Sequence, residues 1–315
     1  MLTQYVDFKS EQGILRVSVT ITIILSVFGI VFGLLSKSSA IIFDSIYDLT
    51  DAGMTFLALL VTNLITASRA SGTEKNKLAE RFTMGFWHLE PMVLALNGTL
   101  LIGSAIYALV NSVNSFLNGG QRLQFNYAII FAVVSLICAL GMTLIAYSAN
   151  RTIKSQLLAL DVKSWFIATA FTVAWLIAFV FGYFIQGTTL DWIVPYIDPF
   201  VLAIVCLCVI PMPISNIKEA FSDILLITPL DLKNHVDEVA ERIVAQYGFD
   251  SFRSYVARVG RGRQIELYFI VPVSWPAKRI EEWDKIRDEI GIAIGNDTPD
   301  RWLTIVFTTD PEWAE

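Results

Sequence analysis

Charged residues are scarce in this sequence. They fill 17% of its 315 positions, against 55% hydrophobic residues, which leaves too few to coat a soluble globule of that size. Histidine is nearly absent, with two copies, and cysteine is limited to Cys138, Cys206 and Cys208. All three cysteines fall inside long apolar blocks, as packed small residues do, which excludes a disulfide framework or a zinc knuckle. A basic surface for nucleic acid is missing too, because the net charge is −6 and the isoelectric point is near 5.1. No cleavable signal peptide is expected, since Met1–Gly13 is polar and acidic and the first apolar block is a full span. Enzyme motifs are also lacking. Gly260-Arg261-Gly262 has neither the spacing nor the context of a nucleotide loop, so no enzymatic activity is expected.

What the chain has instead is long apolar runs, with a mean hydropathy of +0.58. About 20 apolar residues cross a hydrocarbon layer of ~30 Å. Six blocks reach that length: 14–35, 40–66, 88–113, 128–149, 165–185 (with a helical extension back toward 155) and 193–214. Charge returns from Lys218 onward, which predicts a transmembrane domain over 1–217 and a soluble domain over 218–315. Basic residues flanking the spans set the orientation. Lys9, Arg16, Arg69, Lys75, Lys77, Arg81, Arg151, Lys154 and Lys218 lie on one side, and only Lys37 and Arg122 on the other. Both termini are therefore expected in the cytoplasm, and the chain in a bacterial inner (plasma) membrane.

Residues 230–315 read as a compact α+β module. An amphipathic helix over 230–247 shows Val236, Val239, Ile243 and Val244 on its apolar face. Strand-like runs at 253–259 and 264–271 flank a hairpin turn at Gly260-Arg261-Gly262-Arg263. A second helix over 279–294 and a strand over 302–308 complete an αββαβ order, a three-stranded sheet covered by two helices. This length suffices for one small core but not for a deep enzymatic cleft. Asp310, Glu312 and Glu315 read as a solvated acidic tail.

Ionisable groups inside lipid are costly and mark pathways. In the second span, Asp44, Asp48 and Asp51 stand at i, i+4 and i+7, on one helical face. Carboxylates this close repel, so they take up protons or are neutralised by a bound cation or a basic partner. The alternative is a helix end exposed in an aqueous vestibule. In the third span Glu90, Asn97, Ser104 and Asn111 recur at sevens as a polar seam, which suits packing between helices. His88 and Glu90 sit at the mouth of that span. Asp161, Lys163 and Ser164 begin the fifth, where Lys163 either pairs with a second-span acid or snorkels to the interface. Asp198-Pro199 opens the sixth.

Six helices, cytoplasmic termini, Asp44-x-x-x-Asp48 and the αββαβ (ferredoxin- or metallochaperone-like) tail together resemble the cation diffusion facilitators, over nearly the whole chain. The resemblance implies a homodimeric antiporter embedded in lipid, joined through its tail. Such proteins exchange zinc, manganese, iron or related ions for protons, with the metal as substrate and no prosthetic group. It maps the family's second-helix pair onto Asp44 and Asp48, its third-helix entrance onto Gly85 through Glu90, and its early sixth-helix aspartate onto Asp198. The departures are as informative. Where the family completes its site with His-x-x-x-Asp or Asp-x-x-x-Asp in the fifth helix, this chain has Ser164 and Ala168. The second-to-third loop, with Ala79-Glu80-Arg81-Phe82, lacks the histidines of a second site, and the tail lacks the regulatory histidine cluster. His88 stands where a basic residue is expected.

Two readings follow. In one, Asp51 replaces the lost ligands and Asp44, Asp48, Asp51, Ser164 and water form an all-oxygen site that favours manganese, iron(II) or magnesium over zinc. In the other, the fold has lost metal transport and exchanges protons for another cation or an organic substrate, with Lys163 as internal counter-ion. A non-transporting sensor or scaffold is a third use of the same fold.

Overall fold

The computed structural model describes residues 11–70, 85–153, 156–295 and 297–315. Lys9, Lys75, Lys77, Ala79-Glu80-Arg81-Phe82 and Lys154, used above for orientation and site reading, lie outside them. Nine helices and three strands run in the order α1 (Glu11–Ser36), α2 (Ser39–Ala70), α3 (Leu89–Leu117), α4 (Phe125–Ile153), α5 (Gln156–Ile185), α6 (Ile197–Val209), α7 (Ile214–Ile224), α8 (Leu230–Tyr247), β1 (Ser251–Val259), β2 (Gly262–Ile270), α9 (Ile280–Ile294) and β3 (Arg301–Thr308), among the described residues. Among the described residues, six segments are long and apolar enough to cross a membrane: Gly13–Ser36, Ser39–Ile65, Leu89–Leu117, Phe125–Ile153, Asp161–Ile185 and Asp191–Val209.

The sixth span differs from its expected limits. It begins with a 3-10 turn at Asp191–Tyr196 and its helix stops at Val209. Pro211 and Pro213 supply no backbone N–H, so the α-helical ladder breaks there and restarts as the separate helix α7. The expected domain boundary at 217/218 falls inside α7.

The described chain forms two compact units, one from residues up to Leu57 plus Asn97–Ile214, the other from Ala58–Leu96 plus Ser215–Glu315. In the first, α1, α4 and α5 pack on one another around a core that includes Phe131, Trp175 and Phe179, with Phe28 and Phe32 of α1 and Phe43 and Tyr47 of α2 set against it. Ala40 and Phe43 of α2 also meet Ala108 of α3 and Leu202 and Cys206 of α6.

In the second unit the three strands are ordered β1-β2-β3. The β1–β2 pair is antiparallel, and the β2–β3 pair is parallel and joined through α9. Parallel neighbours need such a crossover. The core is Val236, Val239 and Ile243 of α8, Ile265, Leu267 and Phe269 of β2, and Ile286 and Ile290 of α9. Alternation along β2 leaves Glu266 and Tyr268 on the other face. The expected αββαβ order is present. Asp310, Glu312 and Glu315 are exposed, as expected of a solvated acidic end, while the backbone that carries them is docked. Asp310 Oδ1 accepts from Glu312 N at 3.0 Å, Tyr255 Oη donates to the Ala314 carbonyl at 2.8 Å, and Ala314 is 3% exposed.

Candidate functional site

The candidate site lies on α2, and the start of that helix is fixed by its neighbours. Helix α1 ends with Ser38 N donating to Gly33 O (3.0 Å) and Lys37 N to Leu34 O (3.3 Å), with Lys37 at φ +58°. This is the paired-bond helix ending that normally places glycine where Lys37 stands. Helix α2 then begins on Asp198. The carboxylate, 1% exposed, accepts from the Ser38 hydroxyl, from Ser39 N at 2.8 Å and from Ala40 N at 3.4 Å. A helix N-terminus presents unpaired N–H groups and a partial positive charge, so an anion from α6 satisfies both.

Two glycines let α1 lie close to α2. A Cβ at Gly29 would sit 2.0 Å from Ser45 Oγ, and one at Gly33 would sit 2.6 Å from Ile42 Cγ1. Ser45 is buried and turns its hydroxyl back to Ile41 O. At about 100° per residue, the Asp44–Asp48–Asp51 face lies roughly a quarter turn from Ser45. The packing face and the acidic face are therefore distinct.

Asp44 and Asp48 are half-buried and Asp51 is exposed. Among the described residues, no hydrogen bond or ion pair reaches Asp44 or Asp48. Asp51 accepts from Asn97 Nδ2 of α3 at 3.1 Å, and Asn97 Oδ1 is buried with no hydrogen-bond partner. The polar seam of α3 thus meets the acidic face at Asn97. Ser104 bonds instead to its own helix, at Leu101 O. Also among the described residues, no three or more His, Cys, Asp or Glu side chains stand close enough together to hold a metal ion by themselves.

On α5, Ser164 and Lys163 are exposed. Neither forms a hydrogen bond or ion pair with the α2 acids among the described residues. Asp161 turns toward α1, where it accepts from Ser18 Oγ at 2.7 Å, and Ser18 in turn accepts from Trp165 Nε1 at 2.8 Å. Its second oxygen is buried without a partner.

His88 and Glu90 belong to the second unit. Glu90, in the first turn of α3, holds Arg261 at the tip of the β1–β2 hairpin. Arg261 Nε and Nη2 reach its two oxygens at 2.9 and 3.0 Å, and Arg261 N adds a third contact at 3.3 Å. These bonds push the Arg261 guanidinium above its ordinary range. Gly260, at φ +59°, gives the two-residue turn the positive φ its first position requires. Trp87 lies so close to Gly262 that a Cβ there would stand 2.5 Å from the ring. One turn away, Arg258 pairs with Asp223 (2.9 Å) and Glu219 (2.6 Å) of α7. The arginines of one hairpin therefore grip both the α3 entrance and α7.

The side chains of Arg261 and Glu90 are 32% and 26% exposed, so a double-mutant cycle of Arg261→Ala and Glu90→Gln should give a coupling near 1 kcal/mol. Hydrogen exchange should accelerate in 86–93 and 255–265 in either variant. Unchanged exchange would show the grip to be energetically idle. The sequence predicts a turn at Gly260-Arg261-Gly262-Arg263; the pairing of Arg261 with Glu90, 171 positions away, leaves no signal in local spacing.

The cation efflux transmembrane domain family matches residues 15–225, more than half of the chain. The chain belongs to the cation diffusion facilitator family. It is similar to the metal cation efflux system protein CzcD of Cupriavidus metallidurans (strain ATCC 43123 / DSM 2839 / NBRC 102507 / CH34), at 24% identity over 238 residues, covering 76% of this chain and 69% of that protein. The cation efflux system protein CzcD of Alcaligenes sp. (strain CT14) matches with the same identity and coverage. With six membrane-length helices, this cation diffusion facilitator is an integral, multi-pass membrane protein.

Proposed function

We propose that this cation diffusion facilitator exports divalent metal ions in exchange for protons, using the acidic face of α2 as the ion path. The observation that carries the reading is Asp44, Asp48 and Asp51 on one face of a membrane-length helix with a single amide, Asn97, as their hydrogen-bonding neighbour among the described residues. Carboxylates so placed need a cation or protons to balance them. The family match, and two relatives whose names denote cation efflux systems, favour a metal ion over an organic substrate. The reading that needs Lys163 as counter-ion has no such support, because Lys163 is exposed and forms no ion pair among the described residues.

The ligand set is all oxygen: Asp44 and Asp48 with water completing the coordination, and Asp51, hydrogen-bonded to Asn97, as a further carboxylate along the same face. Hard oxygen donors without nitrogen or sulfur favour manganese, iron(II) or magnesium over zinc. An ion entering from the cytoplasm displaces protons from the carboxylates, and the bundle reopens outward. Protons then return to the acids and release the ion. Two protons per divalent ion leave the exchange electroneutral, and each proton moving down one pH unit supplies about 1.4 kcal/mol. The termini and the C-terminal domain face the cytoplasm of a bacterial inner membrane, and the C-terminal domain pairs two copies into a homodimer.

The test is proton release from proteoliposomes holding the full-length protein and a trapped pH dye. Manganese should drive faster flux than zinc, the direction a preference of oxygen-only coordination for harder ions sets. A faster zinc flux would overturn the ion preference, and no flux with any divalent ion would overturn the transport reading.

A further inference from the structure

We infer that the exposed face of α7 lies in the headgroup region of the bilayer, so that lipid, and not a second protein, covers it. Successive helical residues turn by about 100°, which places Lys218, Phe221 and Leu225 within roughly 60° of one another on one side of the helix. Leu225 keeps the helical register, because its N–H bonds to Phe221 O at 2.9 Å. The opposite side is already occupied. Arg258 holds Asp223 and Glu219 there, and Ala220 and Asp223 are buried. Phe221, Leu225, Leu226 and Ile227 are 45–67% exposed, a contiguous apolar patch of the kind that marks a contact surface.

The end of α7 adds an independent sign. Ile227 N donates to Ser222 O at 2.8 Å and Leu226 N to Asp223 O at 3.3 Å, a paired-bond helix ending with Leu226 at φ +56°. Glycine is the usual residue at that position. Leucine there combines backbone strain with an apolar side chain turned outward. Water rewards neither, whereas lipid accepts the side chain.

The level of α7 follows from the hairpin. Arg258 and Arg261 are three residues apart on it, at most about 11 Å along the chain. Arg258 holds α7, and Arg261 holds Glu90 in the first turn of the membrane-length helix α3. Trp87, against Gly262 at the hairpin tip, precedes that span by two residues, the depth at which tryptophan rings gather at a membrane surface. The polar side of α7 is thus tied to the end of a span, and in the chain only residues 210–213 separate α7 from the sixth span. A lysine among apolar residues on the remaining face suits the boundary between headgroups and acyl chains, where apolar side chains sink and the ammonium reaches outward.

Photo-cross-linking of the full-length protein in phosphatidylcholine vesicles tests the placement. The photoreactive residue p-benzoylphenylalanine replaces Phe221, Leu225 or, half a turn from Leu225, Asn216. All three positions are exposed, so the folded protein accommodates the larger ring. After irradiation, mass spectrometry should find phospholipid adducts at 221 and 225 at several times the yield at 216. Cross-links from 221 or 225 to a second copy of the chain would put protein on this face and overturn the proposal. So would equal lipid adducts at all three positions, or none at 221 and 225.

Discussion

Asp48→Asn should reduce metal-driven proton flux about 100-fold or more, with Asp44→Asn next in severity and Asp51→Asn costing only several-fold. The ranking follows from surroundings. Asp44 and Asp48 are half-buried beside the Phe43 and Tyr47 rings, which pack on the first unit's core, so an ion there has exchanged much of its water for these carboxylates. Losing one charged ligand from a low-dielectric site weakens cation binding far more than losing one in water. Asp51 is exposed and shares its carboxylate with Asn97, so bulk water replaces it more readily. Asparagine keeps the shape of aspartate, so all three variants should melt like the parent. Flux through proteoliposomes separates the ranking, and equal loss at all three positions would dissolve the distinction between buried and exposed ligands.

Asp198→Ala should destabilise the protein by about 3 kcal/mol or more, the largest stability effect of any single change considered. Its carboxylate serves three donors, Ser38 Oγ, Ser39 N and Ala40 N, in a position 1% exposed. Stranding a buried donor costs about 1–3 kcal/mol each, and no water from the hydrocarbon layer replaces the lost acceptor. The damage should extend to the site, because α2 begins at Ser39, five residues before Asp44. Asp198→Asn retains a carbonyl acceptor and should recover part of the stability. Thermal unfolding of the detergent-solubilised protein reads both. An alanine variant as stable as the parent would refute the capping role, and an asparagine variant that folds but no longer transports would give Asp198 a part in ion passage.

Length and hydropathy alone made the spanning segments legible, because a run of some 20 apolar residues has few uses besides crossing lipid. The C-terminal α8, β1, β2, α9 and β3 emerged from periodicity for the same reason: each presents one apolar face at the spacing its geometry requires. The sixth span was less legible. Hydropathy carries no record of the missing N–H groups at Pro211 and Pro213, so α6 and α7 merged into one run. The acids on α2 were visible because helical spacing places them on one face. The direction of Asp161 toward Ser18, the capping of α2 by Asp198, and the Glu90–Arg261 grip join residues 143, 159 or 160, and 171 positions apart. Only packing creates such neighbours. The resemblance singled out Asp198 but not its work at the start of α2.

The central claim is that Asp44 and Asp48 hold the transported ion. Calorimetric titration of the purified full-length protein with manganese, iron(II) and zinc, beside a variant carrying both Asp44→Asn and Asp48→Asn, tests it most directly. Saturable binding well below millimolar is expected for at least manganese or iron(II), absent from the variant. The opposite result, no submillimolar binding by the unsubstituted protein or undiminished binding by the variant, would contradict it.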